Sequence, residues 1–194
     1  MTLARIYFAI IFVVLSTSAC KKEDTVFIPL HAQSTKWIQK DFPWAFVNQS
    51  SDTLQISSAQ TTRYRLSDLV DLSTTEGFID YEIVEQRFSI DAQTSFALKL
   101  RANLQDSTYL REDLASIHLS WNALQASTYG YAWPKNYLEP PALFFKTFTI
   151  NGTTYNNVYV SETIDGGNRL TMYYNVSTGL IGFERSGEIY NRVE

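Results

Sequence analysis

Apolar and polar positions alternate along most of the chain from residue 37 onward. Trp44, Phe46 and Val47 mark a first strand and 54–56 a second, with 48–52 as the turn-rich link. Ile79, Tyr81 and Ile83 alternate with Asp80 and Glu82, the pattern of a strand with one wet face. Phe88 and Ile90 fall on the opposite parity, so a turn or bulge near Glu85 is expected to reset the register. Phe96, Leu98 and Leu100 alternate with Lys99 and Arg101, and Ile117, Leu119 and Trp121 with His118 and Ser120; both read as antiparallel strands. Leu66, Leu69, Val70 and Leu72 have instead the spacing of a short helix, or mark an irregular edge segment.

The last third carries the sharpest local signal. Residues 144–150, then Asn151-Gly152, then 153–160 predict a strand, a tight turn and a strand, because Asn-Gly supplies the two positive-φ positions of such a turn. Further turns are expected at Asp165-Gly166-Gly167-Asn168 and Ser186-Gly187, with strands at 170–175, 180–184 and 189–193. The fold class is therefore all-β: an antiparallel β-sandwich or barrel-like meander, with an N-terminal signal helix and at most one short helix.

The first twenty residues break the pattern. A lone cation at Arg5, an apolar run from Ile6 to Leu15 and the small residues Ser16-Thr17-Ser18-Ala19 precede Cys20. Those are the three parts of a secretory signal, and the run is about half the ~20 apolar residues a spanning helix needs. Cys20 is the only cysteine. Its position directly behind the small residues resembles the lipobox of bacterial lipoproteins; Ser18 and Ala19 fit that pattern, while Thr17 replaces the usual leucine. The resemblance implies diacylglyceryl transfer to the Cys20 sulfur, cleavage before it and acylation of the new amine. Two or three chains anchor a protein without a transmembrane helix. The expected organisation is 1–19 signal peptide, 20–35 lipidated tether and 36–194 a single β-rich domain.

After the cysteine, Lys21-Lys22-Glu23-Asp24 reads as a solvated tether. It also resembles the charged export tag of surface lipoproteins in the Bacteroidota, and no retention aspartate follows Cys20, which together point to the outer membrane, on its periplasmic or cell-surface face. The C-terminal segment Thr149-Ile150-Asn151-Gly152-Thr153-Thr154-Tyr155-Asn156-Asn157-Val158-Tyr159-Val160, followed by Tyr173-Tyr174 and Gly179-Leu180-Ile181-Gly182-Phe183-Glu184, resembles the ending of many uncharacterised Bacteroidota lipoproteins over roughly 143–194. That resemblance concerns turns and strand faces and implies no activity. Asp24-Thr25-Val26, Asp52-Thr53-Leu54 and Asp106-Ser107-Thr108 resemble the short O-glycosylation motif of the same bacteria.

Composition fits this picture. Twelve Tyr, twelve Phe and four Trp against two Met suit pleated, half-buried surfaces. Loss of 1–19 removes Arg5 and moves the formal charge from −4 to −5, without the basic face that nucleic acid requires. With two histidines, His31 and His118, and Cys20 acylated, the nitrogen and sulfur ligands of a usual zinc or iron site are lacking, and no cofactor is expected. His31 is placed in the tether and His118 on the exposed side of a strand. Gly-x-Ser-x-Gly and phosphate-loop patterns are absent from the sequence.

Two features remain as candidate chemistry. Asp80 and Glu82 share a strand face and Glu112-Asp113 are adjacent, so a carboxylate pair for glycoside hydrolysis is conceivable; a wet strand face carrying acids explains them more simply. The stretch 128–145 joins Tyr129, Tyr131, Trp133, Tyr137, Phe144 and Phe145 to Pro134, Pro140 and Pro141. A proline-stiffened aromatic loop presents flat rings to a sugar or peptide at small entropic cost, or else covers one end of the fold. Tyr129, Tyr131, Trp133 and Tyr137 are the candidate contacts. The reading leans away from an enzyme. It is a lipid-anchored envelope protein acting as a ligand-binding module, with two alternatives: an accessory lipoprotein in an envelope protein complex, and a carboxylate-dependent glycoside hydrolase.

Overall fold

The computed structural model describes residues 25–40, 42–71, 76–105, 110–140 and 142–193. The signal segment, Cys20 and the Lys21–Asp24 tetrad lie outside the described residues, as do Ser107 and Thr108. The chain divides into two compact units, one of Phe27–Leu66 with Tyr81–Glu194, the other of Met1–Val26 with Ser67–Asp80. In the smaller unit the Ser67 hydroxyl donates to the Asp80 carboxylate.

The expected β-sandwich is what forms. Its strands are β1 (Thr25–Ile28), β2 (Trp44–Val47), β3 (Thr53–Ile56), β4 (Gln60–Asp71), β5 (Glu76–Ser89), β6 (Thr94–Gln105), β7 (Leu110–Trp121), β8 (Leu124–Trp133), β9 (Tyr137–Leu138), β10 (Leu143–Ile150), β11 (Thr153–Asp165), β12 (Asn168–Asn175), β13 (Gly179–Arg185) and β14 (Glu188–Val193). A first sheet runs β1-β5-β6-β7-β8-β9, with β4 also paired to β5; a second runs β10-β11-β12-β13-β14-β2-β3. Inward-facing Phe96, Leu98, Ile117, Leu119 and Ala126 of the first sheet meet Leu170, Met172, Tyr174, Phe183 and Phe46 of the second in one buried core. Burying such side chains is worth about 1.5–3 kcal/mol each, and the alternation along each strand follows from it.

The turns obey the sequence. Asn151 and Gly152, Gly166 and Gly167, and Ser186 and Gly187 all hold positive φ at the tips of two-residue hairpins. Asn48 Oδ1 accepts the Asp52 N–H at 2.8 Å, closing the link between β2 and β3.

Four expectations need correction. Residues 64–71 hold no helix but, of the two expectations, a segment at a sheet edge, since β4 runs through Asp71 and pairs with β5 alone. Residues 60–67 are exposed on both faces, so no burial imposes a two-residue alternation there, and Leu72 lies outside the described residues. β5 does not break near Glu85: its pairing with β6 is unbroken from Ile83 to Ser89. The parity changes because Tyr81 and Ile83 are buried on one face and Val84, Gln86 and Phe88 on the other. Residues 25–35 are more than a tether, for they carry β1 and the start of a 3-10 turn (Ser34–Trp37). Leu30 and His31 donate their backbone N–H groups to Glu82 and Asp113 at 2.8 and 2.6 Å. Those contacts use main chain, which polar composition does not reveal. Finally, 128–145 is not an aromatic loop: Tyr129, Tyr131 and Trp133 lie on β8 and Tyr137 on β9.

Candidate functional site

The register of β5 to β8 arranges the outer face of the first sheet as rows of side chains. Ser89, Ser95, Ser120 and Gln125 stand abreast, then Arg87, Ala97, His118 and Ser127, then Glu85, Lys99, Ser116 and Tyr129, then Ile83, Arg101, Leu114 and Tyr131. Every second residue of each strand is committed to the core between the sheets, so these positions lie on the opposite face, where Ile83 alone is buried. The face grades from hydroxyl and amide groups at one end to aromatic and aliphatic groups at the other.

An open depression of about 780 Å³ lies over the polar rows, lined among others by Ser89, Ser95, Lys99, His118, Ser120 and Gln125, with Ser58 and Gln60 ahead of and at the start of β4. Its size falls in the range of small-ligand sites. Glu85 and Arg87, two apart on β5, form an ion pair with each other at 2.5 Å. His118 Nδ1 lies 2.9 Å from both Ser127 Oγ and Gln125 Nε2. With the Gln125 amide donating to Nδ1, the proton of neutral imidazole sits on Nε2, which remains a donor. Burial pushes the His118 pKa below 6.5; Glu85 opposes this, and the charges of Lys99 and Arg87 add to it. The imidazole is therefore neutral at pH 7 and acts as a donor–acceptor.

The four aromatic candidates do not form one cluster of equal exposure. Tyr129 is 55% exposed at the edge of the polar rows. Tyr131 is covered on one face by the Lys135 ammonium, 4.0 Å from the ring centroid, and packs on Tyr137 with centroids 5.5 Å apart. Trp133 stacks on His31 at 4.2 Å, so the histidine assigned to the tether covers one of the candidate rings. Tyr137 is held by its hydroxyl donating to Glu139 at 3.1 Å. Gly130 lets β9 approach this closely, since a Cβ there would lie 2.2 Å from the Tyr137 carbonyl oxygen. Of the four rings, Tyr129 presents the most open surface. The polar rows beside it carry no sequence motif; only the strand register shows them as neighbours.

The candidate carboxylates are occupied structurally. Glu82 accepts Leu30 N–H and pairs with Arg63 at 2.8 Å. Asp113, fully buried, accepts His31 N–H and the Ser34 hydroxyl. Glu112 pairs with Lys135 at 3.1 Å. None of these three lines the 780 Å³ depression. Among the described residues, no group of three or more His, Cys, Asp or Glu is arranged to hold a metal ion.

Comparison of the chain with protein-family profiles, with curated proteins and with solved structures finds no match, so the site stands on its own geometry.

Proposed function

We propose that this chain is a lipid-anchored protein of the bacterial outer membrane whose β-sandwich serves as a non-catalytic ligand-binding module. The binding surface is the outer face of the first sheet, from the Ser89 row to Tyr129. The observation that carries the reading is the depression of about 780 Å³, lined by exposed serine and glutamine side chains with half-buried Ser120 and neutral His118, and with the exposed Tyr129 in the same row as its Lys99. Hydroxyl and amide groups in this number, with Glu85 and Arg87 paired to each other, suit a hydroxylated or amide-rich ligand, because each donor or acceptor left unmatched on binding costs about 1–3 kcal/mol. Anchoring rests on Cys20 behind its apolar run.

Two measurements test this reading. Intact mass of the protein from its native membrane should match a chain beginning at an acylated Cys20; a chain starting at Met1 or a free thiol at Cys20 removes the anchor. Glycan and peptide arrays probed with the full chain should give responses that fall in Tyr129→Ala and Ser120→Leu; responses unchanged in both variants move the ligand off this face.

A second reading has its own observation. The edge strand β10 exposes Leu143 at 62% and Phe144 at 54%, with Phe145 alongside. An apolar, unpaired sheet edge favours association with another protein, as in an accessory lipoprotein of an envelope complex. Crosslinking in native membranes should then capture a partner through a photoreactive residue at position 144 and not through one at position 120.

A further inference from the structure

We infer that the depression on the first sheet binds an acidic sugar unit, a pyranose carrying one carboxylate or sulfate, with the anion on Lys99 and the ring against Tyr129. This rests on the binding-module reading and narrows it to a ligand class.

Charge comes first. Of the charged side chains over the polar rows, Glu85 and Arg87 neutralise each other. Lys99 makes no ion pair with any described residue and stands between Glu85 and Ser116 in its row. The imidazole of His118 is neutral. The depression therefore offers one uncompensated ammonium, enough to match a single anion and too little for a polyanion such as nucleic acid. A lone ammonium is a point charge that takes either a carboxylate or a sulfate oxygen.

The neutral groups come next. Ser89, Ser95, Ser120, Gln125 and Gln60, with the free Nε2–H of His118, offer donors and acceptors in comparable number. A sugar hydroxyl is itself both donor and acceptor, so such a lining satisfies it whichever way it turns. An extended peptide would instead seek an unpaired strand edge, and β6 and β7, which floor the depression, are paired on both sides.

Geometry supplies the third part. Lys99 and Tyr129 share a row with only Ser116 between them, so their backbones stand two strand spacings apart, about 10 Å. One pyranose fits between the ammonium and the exposed phenol, with its C–H face on the ring and its anionic group toward Lys99.

The test uses the full chain against an array of uronate-containing, sialylated and sulfated oligosaccharides, each printed beside its carboxyl-reduced or desulfated counterpart. At least a tenfold preference for the charged member of a pair is expected, on carboxylated or sulfated sugars according to which anion the site takes. Lys99→Gln should erase that preference while neutral binding persists, and Lys99→Arg should restore it. Equal binding within every pair, a preference that survives in Lys99→Gln, or no response to any acidic glycan overturns the inference. In those cases, a response to neutral glycans or peptides that Tyr129→Ala abolishes leaves the binding-module reading standing. Silence across all probes removes both.

Discussion

Gly182 lies directly beneath Ile150: a Cβ on the glycine would stand 2.7 Å from the Ile150 Cδ1 and 2.6 Å from the Tyr190 carbonyl oxygen. The hairpin of β10 and β11 thus folds back over the outer face of the second sheet. Its tip is pinned to β14 by Asn151 Nδ2 donating to the Ile189 carbonyl and Tyr155 Oη donating to Asn191 Oδ1, at 3.2 Å each. Beneath it a second apolar cluster forms from Ile150, Val158, Tyr173 and Ile181. The C-terminal pattern read in the sequence acquires a physical meaning. Its isoleucine fills the space over Gly182, its Asn-Gly makes the turn, its tyrosine ties the tip and its valine is buried.

Gly182→Ala should therefore destabilise the protein by about 2–3 kcal/mol, because added volume here meets backbone as well as a flexible side chain. Ile150→Ala should cost about 2–4 kcal/mol through the cavity it leaves. The double variant should lose less than the sum, since truncating Ile150 removes one of the two clashes. Urea midpoints of the four proteins measure this; strict additivity would show that the two residues do not share one site.

Strand alternation and paired turn residues made most of the second sheet legible in the sequence, because each of its hairpins is local. The polar rows of the first sheet were not legible. Ser89, Ser95, Ser120 and Gln125 come from four strands and become neighbours only through register. The aromatic candidates were found as a cluster in sequence and share one face of β8, yet His31 stacks on Trp133 while Tyr129 stays open, a difference that depends on a contact 102 residues away in the chain. The docking of 30–37 was hidden for another reason: main-chain N–H groups of Leu30 and His31 help to fix it, and only Leu30 and Trp37 betray it by composition.

Gln86 should be the most costly neutral polar side chain to truncate. Buried in the core, it accepts the Gln39 N–H at 2.7 Å and donates to the Gln39 carbonyl at 2.8 Å, imitating a strand partner. Gln86→Leu leaves both main-chain groups buried without partners, a loss of about 2–4 kcal/mol at 1–3 kcal/mol for each group. Amide exchange at Gln39 should accelerate well beyond that at Leu98; equal changes at the two would mean global destabilisation only.

His118 predicts a pH dependence near neutrality. Its folded pKa lies below the ordinary 6.5, so between these values the unfolded chain takes up a proton that the folded chain does not. Stability should therefore be level above pH 6.5 and fall as the pH drops below it. His118→Gln should flatten this limb while carboxylates remain ionised. Thermal midpoints at pH 7.5 and 5.5 suffice, and an identical drop in the variant would assign the effect elsewhere.

Asp91 contributes to the acid limb, and its sign follows from its partners. Burial alone would raise this carboxyl, but the Arg185 guanidinium, the Gln93 N–H and the Thr94 hydroxyl outweigh it and hold the pKa below 3.8. Arg185, on β13 of the second sheet, donates to Asp91 and to Thr94 Oγ1 at the turn between β5 and β6, so the pair ties the two sheets together. A depressed carboxyl contributes stability that is fully present above pH 3.8 and is lost as the pH falls through the folded value. Asp91→Asn should cost about 2 kcal/mol at pH 7, the scale of a hydrogen bond to a charged group. It should also shallow the loss of stability below pH 4, since the amide does not titrate. Because Arg185 also stacks over Tyr190 with 4.9 Å to the ring centroid, Arg185→Met should cost more than Asp91→Asn. A cycle of the two substitutions isolates the coupling by urea unfolding at pH 7 and pH 3. Coupling that is the same at both pH values would mean that the carboxylate charge contributes nothing and that the clamp is held by packing alone.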